Sequence, residues 1–89
     1  MNIAIVNKEK IELEIAEVFL KFYVKKFWSI PESQIHIEIF QRPEEFLQIF
    51  DKGWYHLVVL GDGMESVADF IRERGDDVAI LFLQLSDNF

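Results

Sequence analysis

Tyr55-His56-Leu57-Val58-Val59-Leu60-Gly61-Asp62-Gly63 is the stretch that decides the fold. Leu57 to Leu60 follow one another with no polar interruption, and the middle two are β-branched. A strand with one wet face would alternate, so an unbroken run this short reads as a strand covered on both faces. Glycines on either side of Asp62 then turn the chain. A strand covered twice needs helices on both sides of its sheet, and the neighbouring sequence supplies them.

Downstream, residues 65–74 carry Val67, Ala68, Phe70 and Ile71 at helical spacing, with Gly75 as the stop. Residues 78–83, Val78-Ala79-Ile80-Leu81-Phe82-Leu83, form another apolar strand. Upstream, Pro43 followed by Glu44 and Glu45 suits a helix start. Phe46, Leu47 and Phe50 give that helix its apolar face, and Gly53 is its C-cap candidate. Residues 34–40 alternate: Ile35, Ile37 and Ile39 point one way, His36 and Glu38 the other, as in an edge strand with one wet face. Pro31 closes the segment before it. Residues 10–27 have a helical period. Ile11, Ile15, Val18, Phe19 and Phe22 are its expected inner stripe, widened by Leu13, Ala16, Leu20, Tyr23, Val24 and Phe27. Residues 3–6 are a first buried strand. The order β-α-β-α-β-α-β predicts an α/β fold. Its sheet is mainly parallel and four-stranded, with right-handed crossovers and helices on both faces, and the 89 residues form one domain.

Composition narrows the function. The chain is 51% hydrophobic and 15% aromatic, which excludes intrinsic disorder. It has no Cys, so disulfides, thiolate metal sites and Cys nucleophiles are excluded. Nine basic residues against 16 acidic give a net charge of −7, with no basic stripe for nucleic acid or an anionic membrane. No uncharged apolar run approaches the about 20 residues of a membrane span. The first residues show neither a basic leader region nor a small-residue cleavage site, so a soluble cytoplasmic protein is expected. His36 and His56 have no ligand spacing, and Ser66 has no His partner that would make a triad.

The order and spacing of four pieces resemble the receiver domain of bacterial two-component response regulators, nearest the LytR/AlgR type. The pieces are Ile3-Ala4-Ile5-Val6-Asn7-Lys8-Glu9, Phe40-Gln41-Arg42-Pro43-Glu44-Glu45-Phe46-Leu47, Tyr55-His56-Leu57-Val58-Val59-Leu60-Gly61, and Ile71-Arg72-Glu73 through Val78-Ala79-Ile80-Leu81-Phe82-Leu83. The resemblance spans nearly the whole chain. It implies a flavodoxin-like sheet of order 2-1-3-4, lacking the receiver's last helix, strand and helix. Receivers place a Mg²⁺-binding acidic pair where this chain has Asn7 and Lys8. They place the phosphoacceptor Asp where it has Gly61, and a Thr or Ser where it has Gln84. In-line attack by a carboxylate needs a metal to neutralise the developing charge, and Mg²⁺ needs oxygen ligands. Lys8 offers a fixed positive charge instead, and Gly61 offers no nucleophile. The resemblance thus implies a degenerate receiver without cofactor.

Two expectations follow. The first is a protein-interaction module of bacterial signalling or transcription regulation. With no fifth strand, the fourth becomes an edge, and Val78, Ile80, Leu81, Phe82 and Leu83 form an apolar strand without charge or proline to guard it. A homodimer closing two such edges is expected, with another response regulator or signalling protein as the other candidate partner. Leu20, Tyr23, Val24, Phe27 and Trp28 of the first helix offer support. The alternative is an atypical Mg²⁺-dependent phosphoacceptor site, in which Asp62 slips by one residue into the phosphoacceptor place and Glu9 supplies a carboxylate.

Overall fold

The computed structural model describes residues 1–83; Gln84, one of the positions aligned with the receiver's phosphoryl site, lies outside the described residues. The elements run β1 (Asn2–Val6), α1 (Lys10–Phe27), a short 3-10 turn (Glu32–Gln34), β2 (His36–Phe40), α2 (Pro43–Ile49), β3 (Leu57–Leu60), α3 (Glu65–Glu73) and β4 (Ala79–Phe82). All strand pairs are parallel, in the order β2-β1-β3-β4. Ile3, Ala4, Ile5 and Val6 of β1 sit beside Leu57, Val58, Val59 and Leu60 of β3, and these in turn beside Ala79, Ile80, Leu81 and Phe82 of β4. The apolar runs of the two central strands, residues 3–6 and 57–60, are buried throughout, as their unbroken character requires. β2 is the edge strand expected, but its burial does not alternate: His36 and Ile39 are exposed, whereas Ile37, Glu38 and Phe40 are half-buried, since the Tyr55 hydroxyl donates to Glu38 and the α2–α3 core takes Phe40.

Alternate side chains of the central strands feed two separate cores. Ala4, Val6, Val58 and Leu60 face α2 and α3, where Phe46, Met64, Val67 and Ile71 close over them. Ile3, Ile5, Leu57 and Val59 face α1 alone, through Leu13, Ala16, Leu20 and Val24. Among the described residues no helix is long and apolar enough to cross a membrane.

The structure corrects three further local readings. The inner stripe of α1 is Leu13, Ala16, Leu20 and Val24, whereas Ile11, Ile15, Val18, Phe19 and Phe22 are all about half exposed or more. Both stripes have helical spacing, so periodicity alone cannot choose between them. Gly53 does not cap α2, whose C-cap is Phe50. It stands at φ +84° in the following turn, closed by Trp54 N–H donating to the Asp51 carbonyl at 3.1 Å. The first helix stops at Trp28, before the reach of Pro31, because Ser29 takes a left-handed φ of 55°. Gly75 does end α3 as read, at φ +76°, with Asp76 N–H donating back to the Ile71 carbonyl.

Candidate functional site

In a parallel α/β sheet, loops at the C-terminal ends of the strands form the site. Here those ends carry Asn7 after β1 and Gly61 after β3. Asn7 is buried, and both ends of its carboxamide are hydrogen-bonded. Oδ1 accepts from Glu9 N–H at 2.9 Å, and Nδ2 donates to Glu12 Oε1 at 3.1 Å. Its backbone N–H donates to the Phe40 carbonyl at 3.0 Å. The carboxamide therefore fastens the turn from β1 into α1 rather than facing an open site. Gly61 N–H donates to the Val6 carbonyl at 2.8 Å, which sets its backbone against Asn7. A Cβ built on Gly61 would lie 2.5 Å from both Cγ and Nδ2 of Asn7. No side chain fits at position 61 while Asn7 holds its place.

Lys8 and Glu9 are both exposed, and Gln41 Nε2 donates to the Lys8 carbonyl at 3.0 Å. Asp62 is exposed on a small cleft of about 200 Å³, lined also by Gly61, Glu65, Phe82 and Leu83. Glu9 is not in that lining. The carboxylate that shares the cleft with Asp62 is Glu65, which the sequence reading set at a helix start. Among the described residues no group of three or more His, Asp or Glu is placed to hold a metal ion. His56 accepts from Asn2 N–H through Nδ1 at 3.0 Å, a structural bond at the opposite end of the sheet.

The other candidate region is β4. Among the described residues it pairs only with β3, so its outer side is an edge. Ala79, Leu81 and Phe82 are exposed, Ile80 and Leu83 half-buried. Val78 sits in the α2–α3 core just before the strand and offers little surface. Between β4 and α1 lies an apolar groove of about 510 Å³, with Phe19, Tyr23 and Trp28 on one wall and Ala79, Leu81 and Leu83 on the other. Leu20 and Val24 form its floor and are buried, so they support rather than contact. Phe27 is exposed, its ring 4.9 Å from that of Tyr23.

One anchoring residue escaped the sequence reading. Asp76 is buried, and its carboxylate accepts from Gly53 N–H and Val78 N–H, each at 3.0 Å. Arg72 Nη1 donates to the carbonyls of Asp76 and Val78 at 2.9 and 2.8 Å. These four bonds fix the entry to β4. An Asp two residues before the Val78 amide is the signal that could have revealed it.

Comparison with known proteins gives one structural likeness. A crystal structure of a response regulator receiver protein from Pseudoalteromonas atlantica matches with a TM-score of 0.66 and 14% identity, covering 100% of this chain and 70% of that one. At that identity the likeness is one of fold. No protein-family model matches the sequence, and no curated protein matches it.

Proposed function

We propose that the chain is a receiver-like domain that works by protein contact and not by phosphotransfer. The observation that carries this reading is the contact between Gly61 and Asn7. The place aligned with a phosphoacceptor has no room for a side chain, and the place aligned with a metal ligand is tied up in three hydrogen bonds. The β4 edge and its groove supply the contact surface, with Leu81 and Phe82 as its exposed apolar groups. A second copy pairing through β4 satisfies the edge backbone of both chains at once. Another response regulator or signalling protein would use the same edge.

Light scattering after size exclusion, over a wide concentration range, tests this. Self-association is expected, and Leu81→Lys or Phe82→Lys should lower the assembly mass. Trp28 borders the groove, so in a Trp54→Phe background its fluorescence shifts to the blue as the dimer forms. A parent chain that stays monomeric throughout would overturn the pairing. The cleft that Asp62 and Glu65 line gives the alternative its own test with Mg²⁺ and beryllofluoride. Saturable binding lost in Asp62→Asn would replace the contact reading with a phosphoacceptor.

A further inference from the structure

The outer side of α1 carries a stripe that the fold does not use. Ile11, Ile15, Val18 and Phe22 are 71, 51, 69 and 59% exposed. At about 100° per residue they fall in one narrow band, diametrically opposite the buried Leu13, Ala16, Leu20 and Val24. Their spacing of four, three and four residues is that of the alternating core positions of a heptad repeat. Phe19 lies between this band, beside Ile15 and Val18, and the β4 groove, whose α1 wall it forms with Tyr23 and Trp28.

Charge selects the occupant. After Lys10, the first half of α1 carries Glu12, Glu14 and Glu17 and the second Lys21, Lys25 and Lys26, so the halves are net acidic and basic. A parallel pair of such helices would set like charges side by side. An antiparallel pair sets each acidic half against a basic half. The apolar register agrees: with the axis between residues 16 and 17, Ile15 meets Val18 of the second copy and Ile11 meets Phe22. On one flank of that seam Glu14 stands beside Lys21 of the second copy. We infer that α1 pairs antiparallel with α1 of a second copy of this chain, through Ile11, Ile15, Val18 and Phe22. This interface is separate from the β4 edge and does not rest on it. α1 is about 27 Å long at 1.5 Å per residue, so the seam is short and the pairing reversible.

Sedimentation of the full chain tests the pairing. In a Leu81→Lys background, which removes the edge contact, a concentration-dependent dimer is expected. Val18→Glu should weaken it about 100-fold or more, because carboxylates then enter an apolar seam close to the axis. Val18 is solvent-exposed, so helix content by circular dichroism should not change. Glu14→Lys and Lys21→Glu should each weaken self-association, while an equal mixture of the two variants should dimerise as tightly as the parent. A mixture no tighter than either variant alone overturns the antiparallel register. An assembly mass that falls with Leu81→Lys but is unmoved by Val18→Glu assigns the association to β4 and overturns the α1 pairing.

Discussion

On one face of the sheet Phe46 is wholly buried, its ring 5.3 to 5.7 Å from those of Phe40, Phe50 and Tyr55. On the other face Phe19, Tyr23, Phe27 and Trp28 form a comparable aromatic chain, with Tyr23 and Phe27 4.9 Å apart, yet 39 to 61% of each residue stays in water. Two helices cover the first face and one covers the second. Apolar side chains thus cluster on both, but among the described residues only the first cluster is sealed. Ring contact and burial are different things. The first face accounts for stability, and the second leaves apolar surface free for contact.

The hardest test of this contrast is Phe46→Ala. It removes the centre of the sealed face and should cost about 3–5 kcal/mol, a loss visible in urea unfolding. A loss no larger than that of an α1 surface substitution would break the comparison. Next is Asp76→Ala, which strips the Gly53 and Val78 amides of their acceptor and should cost about 2–4 kcal/mol. Amide exchange should speed up in Ala79–Phe82 more than in β1.

A smaller effect involves Tyr55, on the sealed face. Burial, helped by Glu38, whose carboxylate accepts from its hydroxyl at 3.3 Å, pushes its pKa from 10.0 to about 12. The folded chain therefore keeps a proton that the unfolded chain releases near pH 10. The sign is unfavourable to alkali: the stabilisation is full below pH 10 and is lost as pH rises toward 12. Alkaline unfolding followed by tyrosinate absorbance should show this, and Tyr55→Phe should flatten the dependence. The smallest effect belongs to the open face. Tyr23→Ser should cost far less monomer stability than Phe46→Ala in urea unfolding, while altering the mass distribution in solution.

The sequence made the architecture legible because each strand and helix has its own apolar signature. Leu57 to Leu60 could only be central, and Ile35 to Ile39 could only be an edge. The facing of α1 was not legible, since Ile11-Ile15-Val18-Phe22 and Leu13-Ala16-Leu20-Val24 are equally periodic. Ala16 gives a reason for the outcome: a small side chain lets the helix lie close to Ile3 and Ile5. At the site, the absence of acidic residues at positions 7 and 61 was plain from the sequence. What Asn7 does instead was not, because its bonds to Glu9 and Glu12 depend on the angle at which β1 enters the helix. The Asp76 anchor joins residues 23 apart in sequence, a pairing no local pattern announces.

Asn7 and Gly61 also constrain what substitution can do to this chain. Since a Cβ at position 61 meets the Asn7 carboxamide at 2.5 Å, the two positions are interlocked. In a scan of single variants, Gly61→Ala should rank among the damaging changes although it adds one methyl group. Beside Asn7→Gly the same change should become nearly silent, a strong positive epistasis between residues 54 apart. Any side chain at position 61 needs a matching shift or substitution at position 7. The pair works as a lock, in which neither position can be changed without reference to the other.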